Sequence, residues 1–531
     1  MMKLTILSTS DTHGYVFPTN YVKKGSTQGF GLARAATVVA REQAAADGPV
    51  VTIENGDFLE GSPLAYYVAR VQPQHDPAPL MAIYNQIHYD CGILGNHEFN
   101  YGQDYLQAAI RDAKRQILCA NILDHNGDPE YGQPYTILEK AGLKIGILGL
   151  TTQAVYKWEK ATNIKGLQFE SAFLAAKKYV PILRQKADVV IVSYHGGFER
   201  DLATGKPNDI HVGENEAYHM MAEIPGIDAM ITGHQHRQIA TELFDVPTTQ
   251  PGFRGQAVGK ITLDLKRDAT GKVTVINHDS ELISATKAPL DHDVINAAAT
   301  LNTRVGRWLD QPLGHINGDM TFTDPFAARL RETPYIEFIQ QVQMATMGAD
   351  ISATALFSDE ALGFENPITM RNIMTNYVYP NGLSLLNITG ADLKGALEVS
   401  ARYFTILNGQ IAVNPAFIHP KRRQYNYDMY EGVHYKLNIA QPVGQRVEEL
   451  TYHGQPVRAD QQLRIVLNQY RAVGGGHYSM YEASKIVAES QSPMSELIAD
   501  YLQAHPTVDA TTNDNFSVVN EPHPTNDENH T

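Results

Sequence analysis

The sequence has little cysteine, little tryptophan, no long apolar run and no excess of basic residues. Only Cys91 and Cys119 are cysteines among 531 residues. Two thiols exclude a disulfide-built secreted scaffold, and the set is too small for a closed thiolate zinc site. Both lie in apolar stretches and read as small buried hydrophobes. No apolar run reaches about 18 residues, so no membrane-crossing helix and no membrane partner are expected. Lys and Arg number 43 against 58 Asp and Glu, a formal net charge of −15. An acidic chain repels polyanions, which argues against a duplex nucleic-acid partner. A small anionic substrate remains compatible, because bound cations reverse the local field. No basic, apolar and cleavable leader precedes the first motif at Asp11, and the reading for this start is a cytoplasmic protein. No pattern in the chain speaks to its oligomeric state.

The composition is that of a globular protein, 43% hydrophobic and 19% charged. Its length exceeds one ordinary core and predicts two large domains. Residues 1–285 alternate short β-branched runs with amphipathic stretches. Strands are predicted at 3–10, 50–55, 91–95, 144–150, 189–194 and 229–232, and helices at 32–46, 80–87, 105–115 and 171–185. This alternation implies an α/β layered sheet. Residues 253–285 turn to strand patterns that close the domain. A helix at 291–309, opened by Asp291, connects it across a linker, 286–319, to a second domain at 320–515. Helices at 334–347 and 390–400 and β-rich stretches at 433–439 and 462–468 are predicted there. Residues 516–531 are expected to form a disordered tail.

Five short segments each follow a predicted strand. They are Ser10-Asp11-Thr12-His13-Gly14, Asn55-Gly56-Asp57, Gly95-Asn96-His97-Glu98, Ser193-Tyr194-His195-Gly196-Gly197 and Gly233-His234-Gln235-His236. In an open α/β sheet the loops at the carboxyl ends of the strands converge on one crevice. Asp11, His13, Asp57, Asn96, His195, His234 and His236 should therefore meet. Imidazole and carboxylate oxygen suit divalent Mn, Zn, Fe or Co. Seven ligands exceed the needs of one ion and fit two, about 3.5–4 Å apart and bridged by a carboxylate. Any one of these segments alone would be weak evidence. Their joint occurrence at strand ends is what points to a two-metal centre.

This set resembles the calcineurin-like metallophosphoesterases. Gly61-Ser62-Pro63, Phe99-Asn100-Tyr101-Gly102, Tyr425-Asn426-Tyr427-Asp428 and Asn468-Gln469-Tyr470-Arg471-Ala472-Val473-Gly474-Gly475 narrow the resemblance to the 5′-nucleotidase family. Within it, the 2′,3′-cyclic-nucleotide 2′-phosphodiesterase/3′-nucleotidase branch is the most similar. The resemblance implies an α/β layered metallophosphoesterase sandwich joined by a helix to a smaller α+β 5′-nucleotidase C-terminal domain that binds substrate. It implies one metal on Asp11, His13, Asp57 and His236, and a second on Asp57, Asn96, His195 and His234. A hydroxide held by both ions would attack phosphorus in line. His97 would stabilise the transition state or protonate the leaving oxygen. In 5′-nucleotidases an aspartate three residues further on orients this histidine. Asn100 stands there instead, a departure shared with the cyclic phosphodiesterase branch.

By the same resemblance Tyr425 and Tyr470 would sandwich the base of a small-molecule nucleotide, since stacking tolerates any base. The reading is therefore a dimetal phosphoester hydrolase acting on 2′,3′-cyclic nucleotides and 3′-phosphates. A 5′-nucleotidase or UDP-sugar hydrolase is the rival with the same metal chemistry. A catalytically silent nucleotide-binding protein is the rival of another class.

Overall fold

A computed structural model of the chain describes residues 2–208, 213–379, 381–419 and 422–522. The chain divides into two compact units, Met1–Gly306 and Arg307–Thr531.

The first unit contains two six-stranded sheets. One runs in the order Val273–Ser284, Ala257–Arg267, Met2–Thr9, Val50–Glu54, Cys91–Ile93, Gln116–Leu118. The other runs Gln238–Leu243, Val246–Pro251, Ala229–Thr232, Val189–His195, Leu143–Thr151, Tyr135–Lys140. Their facing side chains form one core, with Leu4, Ile6, Val51, Ile53 and Ile93 from the first meeting Ile145, Ile147, Val189, Ile191 and Ile231 from the second. The helix Ala172–Arg184 covers the outer face of the second sheet through Phe173, Ala176, Val180 and Leu183. Strands buried on both faces explain why these segments read as continuous apolar runs rather than alternating ones. The four strands from Met2–Thr9 to Gln116–Leu118 are mutually parallel, as are Leu143–Thr151, Val189–His195 and Ala229–Thr232. Their carboxyl ends therefore open on common edges. The predicted closing strands are the antiparallel pair Ala257–Arg267 and Val273–Ser284.

The second unit has a five-stranded sheet in the order Asp428–Glu431, Ile351–Ala355, Gln462–Asn468, Leu383–Thr389, Ile486–Glu489. The helices Pro334–Met347 and Gly390–Ala401 pack with it in a single core. Thr389 and Asp392 start the latter with a reciprocal capping box, which marks its first residue sharply.

Two boundaries differ from expectation. The strand Pro312–Asn317 pairs with Ile368–Thr369 and Thr507–Asp509, so the second unit begins inside the expected linker. At the other end, Phe516–Val519 forms a strand parallel to His434–Asn438, so the expected tail is ordered at its start. Alternation marks both: Gly314 and Ile316, then Phe516 and Val518, are buried between neighbours that are more exposed. The rest of that expected tail from 523 onward lies outside the described residues. Among the described residues no helix is long and apolar enough to cross a membrane. Cys91 and Cys119 are free and buried.

Candidate metal centre

All seven residues singled out from the strand ends lie in the first unit, and the structure brings them together. Asp11 and His13 follow Met2–Thr9, Asp57 follows Val50–Glu54, and Asn96 follows Cys91–Ile93. His195 ends its own strand, and His234 and His236 follow Ala229–Thr232. Backbone bonds tie these loops to each other: Asp11 N–H donates to the Gly56 carbonyl at 2.9 Å and His13 N–H to the Asp57 carbonyl at 2.8 Å.

Two groups form with one shared member. Asp11, His13, Asp57 and His236 offer ligand atoms within 4.8 Å of one another, and so do Asp57, His195 and His234. His13 Nε2 is 3.0 Å from His236 Nε2 and 3.9 Å from Asp57 Oδ2. His236 Nε2 lies 3.4 Å from Asp11 Oδ1, and His195 Nε2 lies 3.1 Å from Asp57 Oδ2. Asn96 joins the second group through its Oδ1, 2.8 Å from His234 Nδ1.

The outer contacts of the imidazoles fit cation binding. His13 Nδ1 donates to the Glu60 carbonyl at 3.0 Å and His195 Nδ1 to the Asn55 carbonyl at 2.6 Å. With Nδ1 so engaged, each Nε2 points inward and becomes the ligating lone pair once its proton is lost, the tautomer a metal ligand needs. His234 is turned the other way, with Nε2 on the Glu214 carboxylate at 2.9 Å and Nδ1 facing Asn96. The buried His195 Nε2 has no directed hydrogen bond despite the nearby carboxylate. An orphaned buried nitrogen beside two carboxylates is the donor set expected for a cation.

The charges act on each other strongly. Against the upward push of burial, His195, His97 and His13 hold the Asp57 carboxyl well below the usual range. Against the opposite effect of burial on an imidazole, Asp57 and Asp11 push His195 up to about 10. Burial lowers His13.

His97 lies beside the second group, its backbone N–H donating to Asp57 Oδ1 at 2.9 Å. Its Nδ1 sits 2.6 Å from Asn100 Oδ1 and 3.1 Å from Glu60 Oε2. Asn100 in turn donates from Nδ2 to Glu159 Oε2 at 2.6 Å. Although burial opposes it, the Asp57 and Glu60 charges raise His97 well above the ordinary histidine value. The asparagine thus orients the ring, while Glu60 supplies the negative charge that an asparagine lacks.

Sequence reasoning missed this supporting set. Glu60 has a signal in hindsight, three residues after Asp57 in the same loop. Glu98 was inside a quoted motif without a role; its carboxylate accepts four backbone N–H groups, from Asp57, Phe58, Leu59 and Gly95. Glu159 and Glu214 carry no sequence signal at all.

Tyr425 and Tyr470 lie in the second unit, both half-buried. The fully buried Arg471, beside Tyr470 in the short helix Gln469–Ala472, ties that helix to the Gln424–Asn426 turn that carries Tyr425. It is paired with Asp428 at 2.7 and 3.1 Å, donates to the Tyr425 carbonyl at 2.9 Å and to the Gly475 carbonyl, and lies over the Tyr478 ring.

A layered α/β sandwich with carboxylate and imidazole groups converging at its strand ends defines a phosphoester hydrolase of the metallophosphoesterase class. Residues 4–238 match the Calcineurin-like phosphoesterase model and residues 312–483 the 5′-nucleotidase, C-terminal domain. A solved structure from Staphylococcus aureus, assigned as a 5′-nucleotidase and bound to alpha-ketoglutarate, is 36% identical with a TM-score of 0.90, covering 97% of this chain and 100% of that one. The trifunctional nucleotide phosphoesterase of Bacillus subtilis is 27% identical over 97% of this chain. This chain spans only 39% of that protein's length. The 2′,3′-cyclic-nucleotide 2′-phosphodiesterase/3′-nucleotidase of Haemophilus influenzae is 28% identical over 96% of this chain and 86% of its own. The chain belongs to the 5′-nucleotidase family of calcineurin-like phosphoesterases, the family its motifs resemble.

Proposed function

We propose that this enzyme opens 2′,3′-cyclic nucleotides and then removes the remaining 3′-phosphate. The observation that carries the reading is the pair of ligand groups sharing Asp57 with His97 beside them, its Nδ1 held by Asn100. The name of the Haemophilus influenzae relative supports the choice of substrate.

In this reading Asp11, His13, Asp57 and His236 hold one divalent cation, and Asp57, Asn96, His195 and His234 hold the other. Cations there lower the pKa of a coordinated water and neutralise charge on the phosphoryl oxygens. Asp57 serves both groups, and its low pKa keeps it a carboxylate at any working pH. The carbonyls of Glu60 and Asn55 keep His13 and His195 in the ligating tautomer. With Nδ1 engaged by Asn100 and Glu60, His97 has Nε2 free for substrate. It carries a proton near neutral pH, because Glu60 and Asp57 stabilise the imidazolium.

Water adds to phosphorus in a cyclic substrate as the P–O2′ bond breaks; His97 gives its proton to O2′ and is reprotonated by the proton that the water releases. In the second step another water adds to phosphorus, the P–O3′ bond breaks, O3′ takes the His97 proton and inorganic phosphate leaves. General acid work of this kind contributes roughly 10²–10⁴-fold. Tyr425 and Tyr470 hold the base by stacking, and Arg471 holds their two segments together.

A 5′-nucleotidase is the second reading, favoured by the assignment of the Staphylococcus aureus structure. The deciding assay supplies Mn²⁺ and compares 2′,3′-cyclic AMP, 3′-AMP, 5′-AMP and bis-p-nitrophenyl phosphate. Faster turnover of the cyclic and 3′ substrates is expected. Preference for 5′-AMP would overturn the substrate assignment and transfer it to the second reading.

A further inference from the structure

Three carboxylates converge in the second unit without any basic partner. Glu332 precedes the helix Pro334–Met347, Glu337 lies in its first turn, and Glu431 ends the strand Asp428–Glu431. One oxygen from each lies within 4.8 Å of the others. Glu337 and Glu431 are only 6% and 7% exposed.

Each carboxylate uses one oxygen in a hydrogen bond. Glu332 Oε2 accepts from the backbone N–H groups of Asn513 and Asp514 at 2.9 and 2.8 Å. Glu337 Oε1 accepts from Gln341 Nε2 at 2.6 Å, and Glu431 Oε1 from Asn513 Nδ2 at 3.0 Å. The other oxygen of each, Glu332 Oε1, Glu337 Oε2 and Glu431 Oε2, is buried with no partner. No lysine, arginine or histidine among the described residues pairs with any of the three.

Three like charges this close, two of them on buried residues and Glu332 partly exposed, cannot all persist alone. Protonation answers only part of the problem. Burial and the neighbouring Glu332 and Glu431 push the Glu337 carboxyl up to about 9. One proton shared by Glu332 and Glu337 would satisfy two of the orphaned oxygens and leave Glu431 Oε2 bare. A divalent cation satisfies all three. An all-oxygen set with no imidazole or thiolate favours a hard ion, with water completing its shell.

We propose that Glu332, Glu337 and Glu431 form a Ca²⁺ or Mg²⁺ site, sharing no residue with the metal centre, that fastens the C-terminal strand to the core of the second unit. The fastening follows from the Asn513–Asp514 turn. It is bound to Glu332 and Glu431, holds Asp514 in a left-handed conformation with φ 53°, and leads directly into Phe516–Val519. Arg331 bridges to Ser517 one step further on.

The test loads the full chain with Mn²⁺, equilibrates it with excess Ca²⁺ and measures both metals by mass spectrometry. One Ca²⁺ per chain is expected beyond the Mn²⁺ content. A Glu337→Gln/Glu431→Gln variant should lose that Ca²⁺ while keeping its Mn²⁺ and its turnover. Uptake of Mg²⁺ in place of Ca²⁺, again by the parent alone, supports the proposal equally. No uptake by the parent, or equal uptake by the variant, overturns it. If the variant does not fold, amide exchange of the parent decides. Ca²⁺ at constant Mn²⁺ should slow exchange at residues 331–337 and 513–519. Unchanged exchange overturns the proposal and leaves the cluster held by shared protons.

Discussion

Replacing Glu98 by glutamine separates the support of the metal centre from the ligands themselves. Glu98 is fully buried, and its carboxylate accepts only from backbone donors. Oε2 takes the N–H groups of Asp57 at 2.8 Å and Gly95 at 2.6 Å, and Oε1 those of Phe58 at 2.7 Å and Leu59 at 3.0 Å. Burial and the Asp57 charge push this carboxyl up. A proton on either oxygen would nevertheless face an N–H, so the four donors hold it ionised. Glutamine keeps the shape but turns one oxygen into an NH₂ group. Whichever end carries the nitrogen, two of the four N–H groups meet a donor and lose their acceptor. Hydrogen bonds to a charged group contribute ~1.5–3 kcal/mol each, so the local loss is on the order of 3–6 kcal/mol. At about 1.4 kcal/mol per decade, this is roughly a 10²–10⁴-fold loss of protection. Amide exchange of the metal-free variant should accelerate by that factor in peptides covering 57–59 and 95. Because Asp57 sits on the same loop, the Mn²⁺ concentration for half-maximal turnover should rise roughly 10–100-fold, as for other groups that brace metal ligands. Exchange and Mn²⁺ dependence indistinguishable from the parent would refute the reasoning and mean that the loop is held by something other than this carboxylate.

His97→Ala should lower kcat roughly 10²–10⁴-fold with the bound-metal content unchanged; loss of metal would instead make His97 a structural brace. Asp57 and Asp11 raise His195 to about 10 against burial, from an ordinary 6.5. In the metal-free protein its ion pair therefore stabilises fully below about pH 6.5 and is lost as pH rises through about 10. Loading metal at pH 8 should release about one proton from this residue, read by calorimetry in buffers of different ionisation enthalpy; no buffer dependence would contradict it. Tyr425→Ala and Tyr470→Ala should each raise KM for nucleotides by ~1–3 kcal/mol of lost stacking and leave turnover of bis-p-nitrophenyl phosphate unaltered. Arg471→Ala leaves Asp428 buried and unpaired and should cost about 3–5 kcal/mol in urea unfolding of the second unit; a change below about 1 kcal/mol would show that the pair is dispensable.

What could be read from the sequence was whatever repeats along the chain. Strands buried on both faces announce themselves as apolar runs, and parallel pairing puts their following loops at one edge. Asp11, His13, Asp57, Asn96, His195, His234 and His236 were legible for that reason. Glu159 and Glu214 were not, because each acts on a partner far away in sequence, and Glu60, although close to Asp57, lies in a loop with no periodicity to single it out. His97 shows the difference. Its neighbour Asn100 was visible in place of an aspartate, whereas the carboxylate beside the ring, Glu60 at 3.1 Å, was not. The ordered strand Phe516–Val519 escaped notice because four residues in a polar stretch give too little alternation to detect.

The backbone explains why the ligand motifs are so compact and so recognisable. Asp11, His13, Asp57, His234 and His236 all adopt left-handed conformations, with φ of 53°, 51°, 58°, 66° and 57°. Such a residue costs on the order of 1–3 kcal/mol unless its surroundings impose the conformation. Glycine would be cheaper at each position but would bring no ligand. The cross-loop bonds from Asp11 N–H to Gly56 and from His13 N–H to Asp57 supply the constraint. Glycine is reserved for the neighbours. A Cβ on Gly95 would fall 2.2 Å from Asp57 Oδ1, and one on Gly233 would fall 2.9 Å from Asp11 Oδ2. At Gly233-His234 the strand ends, the glycine makes room for the Asp11 carboxylate from another loop, and the strained His234 follows it. Gly56-Asp57 shares the strain, with Gly56 making room for Gly95 and His195, and Gly95-Asn96 shares the room without the strain, so each short motif reports how closely its loop packs on another.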